Sequence, residues 1–176
     1  MKRHAQTAVS LISPFVIACV LLLMVGSLVG QTSSGDSKSA QKFSASSIQV
    51  EPTDPGDAPM PPEFRVAIYE NLIAQIEKTG KFQHVYRSGD KDAASAPDLV
   101  TLHTTARFFT EGSQKKREVT TVTGSTSMTL NVQITDQAGK ALVDRDVQGK
   151  VRFMGENLRA TYDFSKKVAN IVRDTF

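Results

Sequence analysis

Between Met128 and Thr135 the chain alternates without a fault. Met128, Leu130, Val132 and Ile134 are apolar, while Thr129, Asn131, Gln133 and Thr135 are polar. A period of two fits a β-strand with one face in a core, and no helix satisfies it. Asp136-Gln137-Ala138-Gly139 follows as a hairpin turn. The returning segment then puts Ala141, Val143, Val147, Val151 and Phe153 on one side and Asp144, Asp146, Gln148, Lys150 and Arg152 on the other. A hairpin with one apolar side must lie against something that covers that side.

Two segments have the period that supplies the cover. Pro62 or Glu63 suits the first turn of a helix. Phe64, Ala67, Ile68, Leu72, Ile73 and Ile76 then recur at three- and four-residue steps, until Gly80 stops the run after Lys78. A last helix starts near Leu158 to Thr161 and carries Phe164, Val168, Ile171 and Val172. Short strands are expected at Ile48-Gln49-Val50 and at Phe82 to Arg87. A longer one follows Pro97-Asp98, with Val100, Leu102, Ala106 and Phe108 on one face and Thr101, His103, Thr105 and Arg107 on the other. Glu51 to Pro62 is a loop stiffened by five prolines, in which Asp54 and Asp57 read as turn formers. Ser88 to Ala96 reads as a polar loop, Glu111 to Arg117 as a charged turn and Glu118 to Ser125 as extended chain. Residues 48–176 are thus expected to form a single α/β (α+β) domain. Its architecture would be a two-layer sandwich, with two helices on one face of a mixed, mainly antiparallel sheet of four to five strands.

The first thirty residues are built for a different solvent. Lys2, Arg3 and His4 precede an almost unbroken apolar run from Ala8 to Gly30. A positive head before such a run is read as a signal peptide or membrane anchor over residues 1–30, so the membrane is an expected partner of this segment. Three fates fit it. The chain is cleaved near Gly30, or it keeps the run as an anchor, or it is lipidated at Cys19, because Val16-Ile17-Ala18-Cys19 resembles a lipobox. Eleven mostly apolar residues follow Cys19, where lipoproteins normally turn polar. Residues 31–47, rich in Ser, Gly, Lys and Gln, read as a flexible linker. The expected address is outside the cytoplasm, periplasmic or membrane-tethered.

Charge and side-chain chemistry narrow the function. Once Lys2 and Arg3 are set aside, 19 basic residues face 18 acidic ones, no footprint for nucleic acid. Cys19 is the single cysteine, so the folded part has no disulfide and no thiolate ligand or nucleophile. Gly124-Ser125-Thr126-Ser127 comes nearest to a nucleophile elbow but precedes a strand instead of a helix. Beyond the leader the histidines are His84 and His103, without a carboxylate cluster to make a metal site. No catalytic residue, cofactor or metal is expected. The local basic run Lys115, Lys116 and Arg117 is the site where contact with an acidic partner or lipid phosphate would be sought.

Several phrases resemble a known group. They are Ile48-Gln49-Val50 before a loop, Leu72-x-x-x-Ile76 leading into Gly80-Lys81-Phe82-x-x-Val85, Ala96-Pro97-Asp98-Leu99-Val100, and Met128-x-Leu130-x-Val132-x-Ile134-Thr135-Asp136-x-x-Gly139. The pattern resembles an uncharacterised exported bacterial domain family (domain of unknown function 4410 type). More distantly, it is similar to α/β domains of curli-secretion and penicillin-binding-protein-activator lipoproteins. The resemblance implies a non-enzymatic accessory domain that contacts envelope proteins or copies of itself. The rival expectations are a periplasmic domain binding a small ligand or lipid, and a hydrolase with an unrecognised site.

Overall fold

The structure is a computed structural model that describes residues 42–120, 123–151 and 156–176. Its elements in chain order are β1 (Ser47–Val50), α1 (Pro62–Glu77), β2 (His84–Arg87), β3 (Leu99–Thr110), α2 (Gln114–Val119), β4 (Thr126–Thr135), β5 (Ala141–Val151) and α3 (Arg159–Thr175). A single 3-10 turn, Asp92–Ser95, interrupts the polar loop before β3. The five strands form one sheet in the order β2-β1-β3-β4-β5. β1 is parallel to both its neighbours, and the longer β3–β4 and β4–β5 ladders are antiparallel. The expected α+β architecture is therefore the observed one.

The alternating residues do what their period requires. Met128, Leu130, Val132 and Ile134 are all fully buried, as are Ile48, Val50 and Leu102 from the neighbouring strands. α1 covers them with Phe64, Ile68, Leu72 and Ile76, and α3 with Phe164, Val168 and Val172. Asn71 Nδ2 donates to Thr161 Oγ1 at 2.9 Å and joins the two helices. Gly149 lets α3 close on the sheet, since a Cβ there would sit 2.5 Å from the Ala160 carbonyl oxygen. Gly80 ends α1 at φ +63°, where a side chain would be strained.

Local details depart from the sequence reading. The proline-rich loop is stitched along β3, with Asp54 N donating to Thr104 O and Ala106 N to Asp54 O, both at 2.9 Å. Asp54 Oδ1 also accepts from Gly56 N, as a turn-forming aspartate does. Within the segment read as a spacer, Ser47 already belongs to β1. Phe43 N donates to Thr175 O at 2.8 Å, and the Phe43 ring lies 6.4 Å from that of Phe176. Ala141, expected in the core, is exposed at the start of β5. Arg152, Phe153 and Cys19 lie outside the described residues.

A bulge in β3 makes the largest correction. Ala106 pairs with Leu130 and Phe108 with Thr129, so Arg107 is an extra residue in the ladder. Two residues against one turns the alternation over. Phe108, expected in the core, is instead 51% exposed. Phe109 takes the inner side, edge-on to Phe64 with the centroids 4.8 Å apart.

Candidate interaction surface

With α1 and α3 on one face, no helix among the described residues lies over the other face of the sheet. Register fixes which side chains share it. Thr101 lies opposite Thr135, and His103 opposite Gln133, which in turn faces Asp144. Thr105 lies opposite Asn131, which faces Asp146, and Phe108 lies opposite Thr129, which faces Gln148. Adjacent strands are about 4.8 Å apart, so β3 and β5 run roughly 10 Å apart on either side of β4.

The charge on this face is sorted by strand. β3 contributes exposed His103 and Arg107, and β5 contributes exposed Asp144 and Asp146. Between them β4 presents only Ser127, Thr129, Asn131, Gln133 and Thr135. Asp144 and Asp146 are like charges two residues apart on one side of a strand. The Asn131 amide offsets their repulsion by donating to both, at 2.9 and 3.3 Å. Lys150 closes the β5 column at its far end, opposite Ser127. His103 has Gln133 across the ladder and the threonines 101 and 105 beside it, with no carboxylate directly opposite.

The basic run at the tip of the β3–β4 connection divides. It begins as the short helix α2 in place of the expected turn, with Ser113 as N-cap accepting from Lys116 N. Glu118 and Val119, expected to be extended, close that helix. Lys115 and Lys116 point into solvent, whereas Arg117 is only 3% exposed. Its guanidinium donates to Gly124 O and, at 2.8 Å, to Asn157 Oδ1. Asn157 also accepts from Thr126 Oγ1 and donates to Glu111 Oε1 and Gly112 O. Arg117 is thus a fastener inside the domain, and the part of this motif open to a partner is Lys115 and Lys116. Val119, 84% exposed, lies beside them.

Two further features were not visible in the sequence. A shallow cleft of about 350 Å³ lies between the starts of β3 and β5, lined by Phe43, Asp98, Leu99, Gln137 and Leu142 among others. Asp98, on its wall, has φ +46°. On the opposite edge of the sheet, Arg87 makes a bidentate pair with Glu70 at 2.7 Å and ties β2 to α1. These hydrogen bonds hold the Glu70 carboxyl below the usual carboxylate range, while Glu70 pushes Arg87 further up. Among the described residues no group of three or more His, Cys, Asp or Glu is placed to hold a metal ion. Among them, too, no helix is long and apolar enough to cross a membrane.

No family model matches the chain, and no curated protein matches it either. Solved structures do share its fold. PelC from Paraburkholderia phytofirmans, crystallised as a dodecamer, superposes at TM-score 0.55 with 8% identity, over 74% of this chain and 91% of that one. A single-substitution variant of PelC in another crystal form gives TM-score 0.53 at 8% identity, over 77% and 91%. A Xanthomonas campestris protein reaches TM-score 0.47 at 13% identity, over 77% and 86%. The described domain is a small α+β fold that this chain shares with solved bacterial proteins.

Proposed function

We propose that this chain is a non-enzymatic accessory domain of the bacterial cell envelope, working by contact with another protein. One observation carries the reading: the β3–β5 part of a sheet face that no described helix covers bears an ordered set of charged and amide side chains. An exposed aromatic, Phe108, joins them. Such a face offers hydrogen bonds and charge to a partner, while the cleft is too open to enclose an apolar ligand. The leader supports an envelope address, held by a membrane anchor, a cleaved signal or a lipid on Cys19. Under this reading the chain belongs with the exported domains its sequence resembles. Its fold is also that of PelC, a protein that forms a dodecamer.

Three measurements test it. A phosphatase reporter fused after Ser47 should be active outside the cytoplasm, and an inactive cytoplasmic fusion refutes the address. A photo-crosslinking residue at Gln133, on the open face, should give one defined protein adduct in the envelope fraction. The same residue at Val66, exposed on α1, should not. A purified domain that turns over an envelope substrate and stops doing so with His103→Ala would overturn the non-enzymatic reading.

A further inference from the structure

The order of charge across the open face specifies a partner. Arg107 and the imidazole of His103 on β3, a neutral strand β4, and Asp144 and Asp146 on β5 before Lys150 at its far end make a pattern that is its own complement under one rotation. Consider a two-fold axis that runs along β4, midway between two sheets stacked face to face. The rotation sets β3 of each copy over β5 of the other at the same height along the strands. Register then puts His103 over the other copy's Asp144, Thr105 over its Asp146 and Phe108 over its Gln148, so that the bulged Arg107 falls between Asp146 and Gln148, within reach of the carboxylate for a long side chain. β4 lies over itself, and none of its outward residues carries a charge, so no like charges meet on the axis. An isologous contact needs this kind of self-complementarity. Bringing Phe108 against a neighbour also removes exposed aromatic surface from water.

We propose that the open sheet face docks a second copy of this chain, sheet on sheet, about a two-fold axis along β4. The proposal rests on the protein-contact reading above and names the partner. Edge-to-edge addition is disfavoured by the strands themselves. β2 has only four residues, and β5 carries the exposed Arg145 opposite Val132, a charge on the helix side that blunts this edge. Stacked sheets lie about 10 Å apart, close enough for long side chains to meet. The face of β3–β5 measures about 15 by 34 Å, roughly 500 Å² per copy. An area of that size belongs to weak, reversible association.

The test is a charge swap in the full-length chain, held in mild detergent and followed by sedimentation equilibrium. Arg107→Asp alone and Asp146→Arg alone should each weaken self-association about tenfold or more, because both symmetric contacts become repulsive. An equimolar mixture of the two variants should recover it, since both contacts in the mixed dimer are again opposite in sign. In a Cys19→Ser background, Asn131→Cys should cross-link to itself through a bismaleimide with a spacer of about 8–10 Å, the separation of stacked sheets. Single variants that associate like wild type, or a mixture that fails to recover, overturn the two-fold packing. A wild-type chain that stays monomeric at about 0.5 mM, a weak-binding concentration, overturns the choice of a second copy. If the Gln133 photo-crosslinker then still yields its adduct with a different envelope protein, the protein-contact reading stands and only the partner is wrong.

Discussion

Phe108 and Phe109 give the sharpest test of the sheet, because simple alternation and the observed ladder order them oppositely. Unbroken alternation from Val100 puts Phe108 in the core and Phe109 outside. The bulge at Arg107 reverses this, leaving Phe108 51% exposed and setting Phe109 against Phe64. A fully buried Phe→Ala costs about 3–5 kcal/mol, so the half-buried Phe109 should lose roughly 2–3 kcal/mol. Phe108→Ala should lose no more than about 1 kcal/mol, as a surface site does. The compact unit Lys38–Phe176 can be unfolded in urea and followed by far-ultraviolet circular dichroism, at a concentration low enough to keep it monomeric. With a slope of about 2 kcal/mol per molar, Phe109→Ala moves the midpoint by roughly 1 M or more, and Phe108→Ala by less than half of that. A double-mutant cycle of Phe64 and Phe109 should return about 0.5–1.5 kcal/mol of coupling from the edge-on pair. If Phe108→Ala is the costlier change, the bulge is misplaced. The outward face beyond Ala106 would then have to be redrawn.

Three more outcomes follow from named contacts. Arg117→Met or Asn157→Ala should destabilise the domain by about 2–4 kcal/mol in the same titration, since each leaves buried polar partners unmatched. Lys115→Glu and Lys116→Glu should stay within about 0.5 kcal/mol, and equal losses at all four sites would refute the inward placement of Arg117. Gly149→Ala should cost about 1–3 kcal/mol, because its Cβ meets the Ala160 carbonyl and Phe164 Cβ; a neutral result would mean that α3 sits further from the sheet. Glu70 is held below its ordinary value of 4.5, so what it contributes is present above that pH and lost as pH falls through the lowered value. Wild type and Glu70→Gln should therefore differ in melting temperature near neutrality and converge in acid, and a constant difference down to pH 2 would exclude the ion pair as its source.

What could be read from the sequence was what a local period encodes. β4 and the stripe on α1 each repeat one physical instruction over two or more turns or pleats, and tertiary context had nothing to overrule; in β5 the pattern holds at Val143, Val147 and Val151 but not at its first residue, Ala141. Where the pattern lapses, several structures fit it equally well. Ala106-Arg107-Phe108-Phe109 places two aromatics side by side, and only the partner strand decides which of them is inside. α2 is six residues long with little apolar content. Its one local signal is Ser113, whose side chain caps Lys116 N at 3.4 Å. Arg117 looks like its lysine neighbours until Asn157, forty residues away, closes around it. Phe43 sits in a stretch whose composition describes a spacer, and its order comes from Thr175 and Phe176 at the far end of the chain.

The open face carries the same reasoning one step further, from fold to function. Along any single strand its residues look like ordinary solvated positions: His103 and Arg107 in β3, uncharged groups in β4, two aspartates and Lys150 in β5. Solvation alone would favour mixing the signs between adjacent strands, because opposite charges directly across a ladder stabilise a sheet by a few tenths of a kcal/mol up to about 1 kcal/mol. This chain forgoes that gain on its open face. It keeps Arg107 and the two aspartates a full strand apart, at a distance where they help each other little in water. It also uses Asn131 to hold two aspartates close together, at a cost in repulsion that neutral residues would avoid. The arrangement gains little from its own neighbouring strands and more from an oppositely ordered surface laid across it. The same chain, turned about β4, presents such a surface.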